Sequence, residues 1–190
     1  MTLPASAPQP RYAAGESRVH IIQGEFYVSA DPSVMLTTTL GSCVAACIRD
    51  PEAGVGGMNH FLLPGDGGEI GQEAARYGAY AMELLINALL QAGASRGRLD
   101  AKLFGGGHLV NRLLDIGEQN ATFAEGFLRR EGIRVSGGST RGEHARRIQF
   151  WPVSGRARQL ALVRGEEQVF AKEHPLLSRV PIDRGSVELF

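Results

Sequence analysis

The stretch TTTLGSCVAACIRDPEAGVGGMNHFLLP, residues 37–64, constrains this chain more than any other. Two apolar runs, 43–49 and 55–63, flank Asp50-Pro51-Glu52-Ala53-Gly54, a clear turn signal. The first run is apolar on both faces, which fits a buried strand or one turn of helix. Taken as a hairpin with the turn Pro51–Gly54, it sets Asp50 opposite Val55, Ala45 opposite His60 and Cys43 opposite Leu62. Side chains at 43, 45, 60 and 62 then share one face, and Cys43 and His60 become diagonal neighbours on adjacent strands. A slip of one residue would put them on opposite faces, so everything hangs on the odd register that the turn length favours.

The rest of the chain reads as a mixed fold. Residues 18–30 suggest one or two short strands around Gly24, and 34–40 another, broken by Gly41-Ser42. Apolar residues recur at three- and four-residue steps across 72–92, predicting a helix that Gly93 stops. A strand at 99–104 runs into Gly105-Gly106-Gly107, and 117–131 forms a second helix. Strands follow at 132–136 and 145–151 with a polar, Gly-rich loop between them, then another at 156–163. About seven strands, several joined by short turns and hence antiparallel, with two main helices, indicate an α+β fold. Residues 1–18, rich in Pro, Ala and Ser, are expected to be a disordered arm. The tail 164–190 reads as an extension with a short helix near 165–172.

Composition excludes several classes of function. Twenty Lys and Arg balance twenty Asp and Glu in 190 residues, so no field built for nucleic acid or an anionic membrane is expected. No uninterrupted apolar run reaches the length of a membrane span, so direct membrane insertion is not expected either. The two cysteines, Cys43 and Cys47, are badly spaced for a disulfide and have no second pair to complete a zinc site, which indicates a cytoplasmic protein. None of the remaining histidines, His20, His108, His144 and His174, has a metal-ligand spacing. Gly105–Gly107 lacks the Lys-Ser/Thr that completes a phosphate-binding loop and suits a tight turn under the site. Arg141, Arg146 and Arg147 form a basic cluster that could contact an acidic surface or simply be a solvated loop.

The pairing of Cys43 with His60 has a chemical use. A lone cysteine or histidine in a strand ordinarily packs; side by side, the imidazole can take the thiol proton and later protonate a leaving amine. Cys47, one pair further along the strand, is read as packing. Gly41-Ser42 allows a sharp bend that exposes the sulfur and aims backbone N–H groups at a developing oxyanion. Thr37, Thr38 and Thr39, on the strand leading into Cys43, offer hydroxyls that could orient the imidazole. Ser42 and Asn59 are further candidates for holding an oxyanion or positioning a substrate.

These residues resemble a known family. TxxxGSCVAACIRD followed by GGMNHFLLP closely resembles the CheD family of bacterial chemotaxis proteins, and the resemblance continues through Lys102–Gly107, Ile116–Asn120 and LRREGI. It implies an α/β/β sandwich related to bacterial toxin deamidases, with a CheD-like domain over 19–163. It implies a cysteine hydrolase that converts selected glutamines of methyl-accepting chemotaxis receptors to glutamate, without metal or organic cofactor. The family's cysteine falls on Cys43, its histidine on His60 and its threonine, six residues before the cysteine, on Thr37. Some members also bind CheC, a phosphatase of the pathway. His108, after the triple glycine, and the long stretch 137–147 depart from the family pattern and bear on loop shape and partner preference. The competing readings are a module that binds receptor or phosphatase without chemistry, and a cysteine peptidase or other amidase.

Overall fold

The computed structural model describes residues 17–64, 71–108 and 116–162. The tail with its short helix near 165–172, most of the Gly-rich loop after Pro64 and residues 1–16 of the expected arm lie outside these residues, but the last two residues assigned to that arm, Ser17 and Arg18, are ordered in a strand paired with Val34 and Met35. Nine strands and two α-helices are found among the described residues, in the order β1 (Ser17–His20), β2 (Phe26–Ser29), β3 (Val34–Leu40), β4 (Val44–Asp50), β5 (Val55–Asn59), α1 (Gln72–Gln91), β6 (Asp100–Gly105), α2 (Ile116–Arg130), β7 (Arg134–Thr140), β8 (Arg146–Phe150) and β9 (Ala157–Ala161). They build a four-stranded sheet, β1-β3-β8-β9, and a five-stranded sheet, β2-β5-β4-β6-β7. β1 pairs with β3, and β6 with β7, in parallel; the remaining pairings are antiparallel. The second parallel pair follows from placing α2 between β6 and β7, since parallel neighbours need a crossover.

β4 shows why the run 43–49 is apolar throughout. Val44, Ala46 and Ile48 point into a core shared with α1 and α2, alongside Leu85, Leu89, Phe123 and Leu128. Ala45 and Cys47 point the other way, into a second core with Leu36, Leu40, Met58, Phe104, Ile148 and Phe150. A strand buried on both faces needs apolar residues at every position. Three layers result: helices, five-stranded sheet, four-stranded sheet. This is the α/β/β sandwich, and the functional question is what lies between its two sheets.

Both helices are held mainly by burial. α1 buries Ala74, Gly78, Met82, Leu85, Ile86 and Leu89 along one stripe, and no side chain caps its start at Gly71. It ends as Gly93 predicts: Gly93 N–H donates to Leu90 O and Ala94 N–H to Leu89 O, the paired bonds that satisfy the last carbonyls. α2 buries Phe123 and Phe127 against α1 and sheet, and Phe123 meets Phe61 edge-on with ring centroids 6.2 Å apart. No helix among the described residues is long and apolar enough to cross a membrane.

One expectation needs correction. The polar, Gly-rich segment 137–140 is not loop but the second half of β7, paired residue by residue with β6 through Thr140. β7 is an edge strand with most of its residues exposed, so the ladder needs only its backbone and no apolar side chains mark it.

Candidate active site

The hairpin has the register that the turn length dictates. Asp50 pairs with Val55 and Cys47 with Met58, and an isolated bridge between Val44 and Phe61 continues the same register. Between these, the ladder is carried by a side chain. Asn59 accepts the Ala46 N–H on Oδ1 at 2.9 Å and donates from Nδ2 to Ala81 O at 3.0 Å. Both ends of that amide are therefore committed on the helix side of the sheet. Asn59 shapes the end of β5 and does not present itself to a substrate.

One residue later the backbone changes partner. His60 N–H donates to Glu25 O at 3.0 Å, and Gly24 N–H donates to His60 O at 2.7 Å. The turn before β2 thus fixes the His60 main chain. Its side chain points between the sheets, into the layer where Cys43 packs against the inter-sheet core. In this register Ala45 stands opposite His60, and so small a side chain leaves room beside the ring.

The bend carrying Cys43 is clamped by its carbonyls. Gly41 O accepts from Gly107 N–H at 2.8 Å, and Cys43 O from Gly106 N–H at 2.8 Å. Ser42 O accepts from Asn120 Nδ2 at 3.1 Å. Three successive carbonyls of the bend are thus hydrogen-bonded. Gly106 and Gly107, directly after β6, supply the N–H groups of this clamp, and Gly105 ends the strand. Gly105 has φ +105°, and a Cβ there would lie 2.1 Å from Cys43 O, so only glycine fits. Asn120, fully buried on α2, also accepts the Leu63 N–H at 2.8 Å and donates to Ile116 O at 2.8 Å. It joins the bend, the segment after His60 and α2 in one hub. Ser42 enters through its backbone carbonyl.

Thr38 decides the state of His60. Thr38 Oγ1 donates its single proton to Ile21 O at 2.7 Å. The same oxygen lies 2.9 Å from His60 Nδ1 and has only lone pairs left for it, so Nδ1 must carry the proton. The Ile21 carbonyl, 3.5 Å from Nδ1, demands the same tautomer. Nε2 is then the basic nitrogen. It is buried and has no hydrogen-bond partner among the described residues, a costly arrangement in a structural histidine and a useful one in a base. Burial pulls the His60 pKa down to about 4, with the Ile21 carbonyl opposing the shift. Burial likewise pushes the Cys43 thiol up to about 11, opposed by its own backbone N–H. Both shifts favour a neutral thiol and a neutral imidazole at rest.

Thr37 sits differently from what the family spacing suggests. It lies on the other face of β3, and its hydroxyl donates to Ile148 O at 2.8 Å. Residues 36, 38 and 40 share the inward face, so Leu36 and Leu40, both in the inter-sheet core, single out Thr38. Spacing in the sequence leaves Thr37, Thr38 and Thr39 open, and the packing of β3 against the other sheet separates them. Asn120 and Gln23, whose Oε1 lies 3.6 Å from Cys43 Sγ, come from distant segments and carry no local signal. Cys47 packs in the inter-sheet core, 1% exposed.

Two members of the basic cluster are engaged by the protein itself. The Arg141 guanidinium pairs with Glu118 at 2.7 Å and Glu125 at 2.6 Å, pinning the β7–β8 loop to α2. Arg146, 4% exposed, donates to the carbonyls of Ser139, Arg141 and His144. Arg141 N–H donates to Gly105 O and His108 N–H to Gly142 O, both at 2.7 Å. Arg141 and Arg146 therefore brace the glycine clamp from behind.

The family model described as CheD chemotactic sensory transduction matches residues 62–160. A curated relative from Acidiphilium cryptum, "Probable chemoreceptor glutamine deamidase CheD", is 58% identical and covers 98% of this chain and 99% of its own. Relatives of the same name from Rhizobium etli and Rhizobium meliloti are 55% and 60% identical, covering 91% and 82% of this chain and 96% and 86% of their own. Among solved structures, Neisseria meningitidis protein NMB0706 matches at 14% identity with a TM-score of 0.41, over 67% of this chain and 63% of that one. The relatives' near-complete coverage takes in the hairpin, the glycine clamp and both helices, and the chain belongs to the CheD family.

Proposed function

We propose that this protein hydrolyses glutamine side chains of chemoreceptors to glutamate, with Cys43 as nucleophile and His60 as base. The observation that supports this best is the orphaned Nε2 of His60, held as an acceptor by Thr38 on the face it shares with Cys43. Nε2 takes the thiol proton as sulfur attacks the carboxamide carbon. Because both groups rest neutral, the transfer accompanies attack and does not precede it. The tetrahedral intermediate collapses, and the departing ammonia takes its proton from His60. Water, activated by the same nitrogen, then attacks the thioester, releases glutamate and regenerates the thiol. Nothing in this sequence of steps calls for a metal or organic cofactor. Thr38 is the residue that orients His60; Thr37 ties β3 to β8.

The substrate is the cytoplasmic helical region of a methyl-accepting receptor, where a new carboxylate changes helix packing, and the reaction takes place in the cytoplasm. The deamidase domain begins with β1 at Ser17, whose pairing with β3 puts residues 17 and 18 inside it. The family resemblance alone extends the proposal to a CheC-type phosphatase as a second partner, and co-purification of the two proteins tests it. Cys43→Ala should abolish ammonia release from a purified receptor fragment, together with the mass gain of amide to acid. Undiminished release by that variant would remove Cys43 as the nucleophile; no release by the wild type would leave a receptor- or phosphatase-binding module.

A further inference from the structure

One carboxamide already sits against the nucleophile, and it belongs to the protein. Gln23 Oε1 is 3.6 Å from Cys43 Sγ, an ordinary distance for a thiol donor. The turn that carries Gln23 is rigid. Glu25 N–H closes it on Ile22 O at 3.1 Å, and Glu25 Oε2 accepts from Ile22 N–H at 3.1 Å. Gly24, at φ +89°, takes the position of a type II turn that only glycine occupies without strain. Gly24 N–H is bonded to His60 O, and His60 N–H to Glu25 O. The backbone beside Gln23 is therefore tied to the backbone of the base, and its side chain reaches the nucleophile.

We infer that Gln23 is a catalytic residue of the proposed deamidation: its carboxamide N–H stabilises the oxyanion of the tetrahedral intermediate. The inference rests on the role proposed for Cys43. In the resting enzyme the thiol is the donor, so Gln23 presents its oxygen. Once the thiol proton moves to His60 Nε2, sulfur bonds to the substrate carbon and the carbonyl electron pair moves onto oxygen. The donor at sulfur has then gone and a negative oxygen has appeared beside it. A half-turn about the terminal torsion of Gln23 replaces Oε1 by Nε2–H, a rotation open to an exposed side chain. The backbone N–H of Cys43, on the same residue as the attacking sulfur, is the second donor. When the C–N bond breaks, the oxyanion pair re-forms the carbonyl of the thioester and Gln23 returns to rest. Substrate amide and water give carboxylate and ammonium, and Gln23 is unchanged.

The test separates Gln23 from Cys43 by using two reactions of the same sulfur. Ammonia release from a receptor fragment passes through an oxyanion; alkylation of Cys43 by iodoacetamide does not. Gln23→Ala should lower kcat for ammonia release by about ten- to a hundredfold with little change in KM, as loss of an oxyanion donor does. It should leave the alkylation rate within about twofold. Gln23→Glu, which puts a carboxylate where a donor is needed, should lower kcat further. Parallel loss of both reactions in Gln23→Ala would mean that the residue only supports the fold, and faster release and alkylation would mean that it plugs the site; either overturns the inference, as does unchanged release. Full activity in Cys43→Ala would instead remove the nucleophile assignment beneath it.

Discussion

Replacing Thr38 by valine tests the assignment of the base most directly. Valine keeps the shape and removes one hydroxyl. Ile21 O then loses its donor at 2.7 Å and His60 Nδ1–H its acceptor at 2.9 Å. Each orphaned buried group costs about 1–3 kcal/mol, but these two can satisfy each other by closing their present 3.5 Å separation. The net loss of stability should therefore lie near the lower end, about 1–2 kcal/mol. The ring turns toward Ile21 as it does so, carrying Nε2 off its line to the substrate. Loss of orientation without loss of the base should lower kcat about ten- to a hundredfold, equivalent to roughly 1.4–2.7 kcal/mol at the transition state. Thr37→Val is the control. It forfeits only the bond to Ile148 O, should cost about 1 kcal/mol in stability, and should leave kcat within about twofold. Denaturant unfolding, ammonia release and the ¹⁵N shifts of the His60 ring read the three consequences separately. Wild-type kcat in Thr38→Val, or activity lost in Thr37→Val instead, would refute the assignment.

Two further outcomes are expected. Gly105→Ala must relieve a 2.1 Å approach to Cys43 O at a φ of +105°, which should cost about 2–4 kcal/mol and, by shifting the bend, about a hundredfold in kcat; a melting curve and turnover like the wild type would contradict the clamp. For His60, the folded pKa of about 4 lies below the unfolded value near 6.5, so unfolding takes up a proton between them. Its contribution is complete above pH 6.5, falls as pH drops toward 4 and levels off there, an acid loss of about 3 kcal/mol. Measured as the difference in unfolding free energy between wild type and His60→Gln, that slope should disappear in the variant; parallel curves would show that the ring is not buried neutral.

Much of this site was legible in a short stretch of sequence. The turn between Asp50 and Val55 sets the register of β4 on β5, and a two-residue side-chain period assigns Cys43 and His60 to one face. Turn length and pleat are local properties, so they can be read without knowing what the hairpin packs against. The helices were equally plain, because an amphipathic stripe is written at three- and four-residue intervals. β7 was only half visible, since an edge strand pairs through its backbone and need not be apolar.

Everything that turns a cysteine and a histidine into a reaction came from tertiary structure. Choosing Thr38 over Thr37 requires knowing which face of β3 lies against the other sheet. The tautomer of His60 depends on one proton shared among Thr38, Ile21 and the ring, groups brought together from β3, the end of β1 and the end of β5. The clamp on Cys43 joins Gly41–Cys43 to Gly106, Gly107 and Asn120, more than sixty residues away. Hydrogen bonds between distant segments leave no period in the chain. Local backbone geometry settles which face a side chain takes, and only the packing of layers settles what it meets there.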